Sequence, residues 1–130
     1  MTDIDDKLAA LRAQDDTDFW TEERITSLTQ IPLRADAWQQ ISITLEDIPL
    51  IVTLRWNEVA AGWYMNLLSQ DESVDIKGIR LSPGINILDG LALPELGYMY
   101  VTDEEQANTD PDFDGLGDRY ILWYLPLEAI

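Results

Sequence analysis

Carboxylates are the one abundant reactive group in this chain. Asp and Glu number 25 among 130 residues, and there is no histidine and no cysteine. General acid/base work near neutral pH therefore lacks its usual group. Thiolate nucleophiles, thiolate metal sites and disulfides are excluded outright. No G-x-S-x-G, phosphate-binding P-loop, G-x-G-x-x-G or H-E-x-x-H occurs to order the remaining serines and acids. Glu46 beside Asp47 is formally a carboxylate pair of the kind glycosidases use, but adjacency is expected by chance at this acid content. The residues predict no enzyme and no cofactor. One spacing is sharper: Asp110, Asp112, Asp114 and Gly115 spell D-x-D-x-D-G, with Asp118 at the ninth position. Alternate carboxylates of this kind converge on calcium in EF-hand loops. The twelfth position is Ile121 instead of a bidentate glutamate, and the flanks have strand character. The plainer expectation is a solvated acidic hairpin loop, with Asp110, Asp112, Asp114 and Asp118 only a weak metal candidate.

The elements around these residues follow from a period-two pattern between Ile41 and Leu81. Ile41, Ile43 and Leu45 share one face; Leu50, Val52, Leu54 and Trp56 share another; Trp63, Met65 and Leu67 make a third. Such alternation marks half-buried antiparallel strands joined by short turns. Strands are expected over 38–46, 50–57, 63–69, 74–81, 98–102 and 119–125, with an extended start at Ile31-Pro32-Leu33. Val74 and Ile76 are out of phase with Ile79 and Leu81, and Gly78 lies between them, which is the mark of a β-bulge. Residues 85–93 fit either a strand or a short helical turn. The large aromatics fall on predicted strands, where core packing and cross-strand pairing account for them. The expected fold is mainly β, a small antiparallel β-sandwich or barrel with a short N-terminal helix.

That helix is expected after Thr2, with Ile4, Leu8 and Leu11 on one face. Residues 14–30 resemble a polar linker anchored by Phe19 and Trp20. The predicted organisation is an acidic extension over 1–30 and an antiparallel β domain over 31–130. A three-turn helix is marginal alone. Its stripe therefore docks either on its own domain or on another subunit, and the predicted partner interface is Ile4, Leu8, Leu11, Phe19 and Trp20. The first six residues lack the basic and apolar regions of a secretory leader, and no stretch approaches the roughly 20 apolar residues of a membrane span. A soluble chain is expected.

Charge narrows the partners. Residues 1–23 carry eight acids against Lys7 and Arg12, and residues 103–118 carry seven acids and no base, so these two segments hold −13 of the net −17. A field of this sign disfavours nucleic acid and anionic membranes. It leaves basic protein surfaces and divalent cations open.

The succession Ile31-Pro32-Leu33, Gln40-Ile41-Ser42-Ile43-Thr44-Leu45, Leu54-Arg55-Trp56-Asn57, Gly62-Trp63-Tyr64-Met65-Asn66-Leu67 and Ile79-Arg80-Leu81-Ser82-Pro83-Gly84 resembles the baseplate plug proteins of contractile-tailed bacteriophages. The closing Gly117-Asp118-Arg119-Tyr120-Ile121-Leu122-Trp123-Tyr124 fits the same family. The resemblance runs over residues 31–125. It implies a non-enzymatic structural virion protein, a plug subunit at the centre of the tail baseplate that packs against the hub, without cofactor. Its partners would be other baseplate and hub proteins, with homo-oligomerisation inside the assembly left open, and it would assemble in the host cytoplasm. The extension over 1–30 and the acid-rich stretch from Asp103 to Asp118 depart from the family pattern. Two alternatives come from other classes. An acidic DNA-mimic inhibitor of a DNA-binding enzyme would need its charge spread along one face, and a calcium-dependent binding module would rest on Asp110 to Asp118 alone.

Overall fold

Two-residue periodicity and short turns produce two antiparallel sheets packed face to face, in a computed structural model that describes residues 19–130. The larger sheet is a meander of β2 (Trp38–Leu45), β3 (Ile48–Asn57), β4 (Gly62–Ser69) and β5 (Asp75–Arg80), in that order. The smaller contains β1 (Thr29–Ile31), β7 (Tyr120–Leu125) and β6 (Tyr98–Asp103), with β7 in the middle. The arrangement is a sandwich and not a closed barrel. The alternation read from the sequence is the one observed: Leu50, Val52, Leu54, Trp63, Met65 and Leu67 face inward and are buried. They meet Met99, Val101, Tyr120, Leu122 and Tyr124 from the smaller sheet in one core.

Register is fixed locally. Leu45 pairs with Ile48 across a two-residue turn in which Glu46 and Asp47 both have positive φ, the geometry that matches strand twist in tight hairpins. On β5 the pairing jumps from Met65 with Ile79 to Leu67 with Ile76, so Lys77 and Gly78 together oppose Asn66. Gly78 takes φ +77° and its N–H donates to the Asn66 side chain at 2.9 Å. This is the bulge predicted from the phase slip.

β7 differs from the other strands because all six of its residues are buried. Tyr120, Leu122 and Tyr124 enter the main core, while Ile121, Trp123 and Leu125 enter a second cluster with Trp20, Ile25 and Leu28. The stretch read as a linker therefore contains a helix, α1 (Glu22–Ser27), which forms a third layer over the smaller sheet. Thr21 caps it through the Arg24 N–H. Arg24 also donates to the carbonyls of Phe19 and Ala129, tying this layer to the closing 3-10 turn (Leu127–Ala129). The helix expected after Thr2 lies outside the described residues. Residues 85–93 form turns and no strand, with Ile87 and Leu88 buried beneath them and the Ile87 N–H donating to Met99 O.

Candidate functional site

The acid-rich segment between β6 and β7 is pinned to the domain, contrary to the expectation of a solvated hairpin loop. Asp103, at 0 % exposure, accepts from Arg119 Nε at 2.8 Å and Nη2 at 3.0 Å, and from the N–H groups of Glu105 and Ala107. The Arg119 guanidinium holds the Asp103 carboxyl below the usual range, against the opposing effect of burial. Further along, Pro111 and Leu116 are buried, and Phe113 stacks on Trp63 at 5.5 Å and lies 5.6 Å from Trp56. Trp63 Nε1 donates to the carbonyl of Asp112. Composition alone favours a solvated loop, but three apolar residues interleaved with the acids give the segment something to bury. It closes one end of the sandwich.

The four weak metal candidates do not converge. Asp110 pairs with Arg80 at 3.2 Å, and Asp112 Oδ1 accepts the Gly115 N–H at 2.8 Å. Asp112, Asp114 and Asp118 are exposed. Among the described residues no group of three or more acidic side chains is placed to hold an ion. Glu46 is likewise occupied: its Oε2 accepts from the Tyr124 hydroxyl at 2.6 Å and the Leu127 N–H at 2.9 Å, while that hydroxyl also accepts the buried Gly97 N–H. Burial and the neighbouring Glu46 carboxylate push the Tyr124 hydroxyl pKa upward, so the phenol stays neutral and keeps donating. On the β4–β5 turn the Ser73 and Ser69 hydroxyls lower the Asp71 carboxyl to about 2. These groups fasten turns, and the hollows that Asp71 and the Glu46–Tyr124 pair border are shallow and open to solvent.

Surfaces are the remaining functional features. Of the predicted interface residues, Ile4, Leu8 and Leu11 lie outside the described residues. Trp20 is buried at 1 % exposure, edge-on to Tyr100, so its ring serves its own chain. Phe19 is half-buried, stacked on Tyr98 at 6.1 Å and covered by the Arg24 guanidinium. The sequence reading missed the outward face of the larger sheet, where Trp38 is 58 % exposed and Ile51 is 37 % exposed. Trp38 opens β2 on the face opposite Gln39, and that parity was the available signal. Gln39 itself is buried, its amide donating to the Arg34 carbonyl and accepting the Arg34 N–H.

Residues 28–127, spanning every strand from β1 to β7, match the protein family described as cyanophage baseplate Pam3 plug gp18. No curated protein matches the chain.

Proposed function

The chain belongs to the cyanophage baseplate plug family, and from that membership we propose that it is a non-enzymatic plug subunit at the centre of the tail baseplate, packed against the hub. The match over 28–127 is the observation that carries this reading, because it takes in both sheets and the segment that closes them. The side-chain chemistry supports it. Buried polar groups are spent on internal ties such as Asp103 to Arg119 and Tyr124 to Glu46, which make a rigid body. The acidic DNA-mimic alternative gains nothing from the structure, since Asp103, Asp110 and Asp71 are engaged within the chain.

The two parts have separate tasks. Residues 31–130 form the bulk of the scaffold, Trp20, Ile25, Leu28 and β1 fasten the acidic extension over 1–30 to it, and the part of that extension before Trp20 makes the outward contact. Ile4, Leu8 and Leu11, with Phe19 at their root, contact another chain in the assembled particle. Incorporation takes place in the host cytoplasm as the baseplate assembles. Where the subunit borders the tail lumen, its net charge of −17 repels passing DNA.

A tagged copy, located by electron cryo-microscopy of isolated tails, should lie on the tail axis at the baseplate. A tag on peripheral structures, or its absence from the particle, would sink the plug assignment. Deleting residues 1–18, a cut that spares Trp20, should leave a folded chain that fails to enter baseplates. Normal incorporation of that truncation would show the segment to be dispensable.

A further inference from the structure

The outward face of the larger sheet is unlike the rest of this acidic chain. Its side chains form cross-strand rows, Trp38, Arg55, Tyr64 and Arg80 in one and Ser42, Ile51, Leu68 and Asp75 in another. Asp75 is the only carboxylate on the four strands, whereas Arg55, Lys77 and Arg80 supply three of the chain's eight basic residues. Arg80 is held by Asp110 and Tyr64. Arg55 and Lys77 are exposed and make no ion pair among the described residues. Beside Ile51 runs a shallow groove of about 470 Å³ lined by Ser42, Thr44, Pro49 and Gln70, without charge. A face of this chemistry fits a partner that is acidic on one side and apolar on the other.

Such a segment exists in the same chain. Residues 1–18 carry Asp3, Asp5, Asp6, Asp15, Asp16 and Asp18 against two bases, and Ile4, Leu8 and Leu11 recur at helical spacing. The segment joins the described chain at Phe19, which rests on Tyr98 and Tyr100 at the smaller sheet. Its root and the basic face thus lie on opposite sides of the sandwich, separated by two packed sheets spaced roughly 10 Å apart. A contact between opposite faces of identical subunits is heterologous, and its repetition builds a ring or a column. Like charge on two copies opposes this only over the screening length, about 8 Å at physiological ionic strength, so the local match decides.

We propose that residues 1–18 of one copy dock on the outward face of the larger sheet of the next copy, with Ile4, Leu8 and Leu11 over Trp38 and Ile51 and the carboxylates beside Arg55 and Lys77. This rests on the reading that the N-terminal segment is an assembly element, and adds its receptor.

The absence of native cysteine makes the test clean. Full-length Leu8→Cys and full-length Ile51→Cys, mixed and mildly oxidised, should give a mixed disulfide dimer several-fold above a Leu8→Cys and Asp89→Cys control. Arg55→Glu with Lys77→Glu on the acceptor should lower that yield several-fold, and Asp5→Lys with Asp6→Lys on the donor should restore it. An intrachain disulfide in the Leu8→Cys/Ile51→Cys double variant without a mixed dimer would overturn the second-copy assignment. No cross-link above control in either format would overturn the docking face. In assembled baseplates, cross-linking of Leu8→Cys to a different protein would overturn this inference while leaving the assembly reading intact. Normal incorporation of the chain lacking residues 1–18 would remove the assembly reading itself.

Discussion

Replacing Asp103 with alanine tests whether the acid-rich segment is structural. The carboxylate is fully buried and receives four N–H donors, two from Arg119 and two from the backbone of Glu105 and Ala107, at 2.8 to 3.2 Å. Removing one partner of a fully buried ion pair costs about 3–5 kcal/mol. Arg119 keeps some solvent contact, at 26 % side-chain exposure, and has Glu105 at 3.5 Å as a second partner, so its charge is not stranded. The two backbone donors lose their acceptor in either case, at about 1 kcal/mol or more each. The expected cost of Asp103→Ala is therefore about 2–4 kcal/mol, read by urea unfolding followed through tryptophan fluorescence near pH 7. The pH dependence has a fixed sign. Because the folded-state pKa lies below the ordinary 3.8, the contribution is full above that value and is lost as pH falls through the lower, folded-state pKa. The gap between wild type and Asp103→Asn should accordingly narrow on acidification below pH 3.8. A loss under about 0.5 kcal/mol, in the range of an ordinary surface change, would refute the reasoning.

Three further outcomes are expected. Gly117 has φ +87° and an added Cβ would stand 2.1 Å from the Leu33 carbonyl oxygen, so Gly117→Ala should cost about 2–4 kcal/mol in chemical denaturation; an effect below 1 kcal/mol would mean that the 115–119 turn yields freely. At Gly78, with φ +77° and open space around it, only backbone strain is at stake, so Gly78→Val should cost about 1–2 kcal/mol and Gly78→Asn less, and equal effects would contradict the left-handed bulge. Calcium at about millimolar concentration should leave the melting temperature unchanged, since Asp110 and Asp112 are already engaged; a rise of several degrees that disappears in Asp112→Ala would restore the calcium reading.

The meander was legible because each of its strands buries one face, so inward parity is written into the residue types. Gly78 was legible for the same reason, as a change of parity needs an inserted residue. β7 was located, but its double burial was not evident. Six consecutive apolar and aromatic residues give no alternation, and nothing local says that Trp20, Ile25 and Leu28 return to cover the second face. α1 escaped because six residues with one buried apolar side chain produce no amphipathic stripe. The acid-rich segment was misjudged because charge dominates its composition, while its anchoring depends on Pro111, Phe113 and Leu116, on Arg119 at its end and on Arg80, distant in sequence. The basic outer face was hidden because whole-chain charge conceals the sign of a single surface.

Two kinds of electrostatics follow from this distribution. Asp103 with Arg119, and Glu46 with Tyr124, act where at least one partner is shielded from solvent, so salt weakens them little. The exposed Arg55 and Lys77 belong to the other kind, acting across solvent over a distance of order the screening length. A subunit built this way keeps its shape while its contacts with neighbours respond to ionic strength. The same placement explains how a chain of net charge −17 can still offer a neighbour a cationic face, because apart from Asp75 the acids of that sheet sit on its turns, Glu46, Asp47, Glu58, Asp71 and Glu72, and leave the strands to Arg55, Lys77 and Arg80.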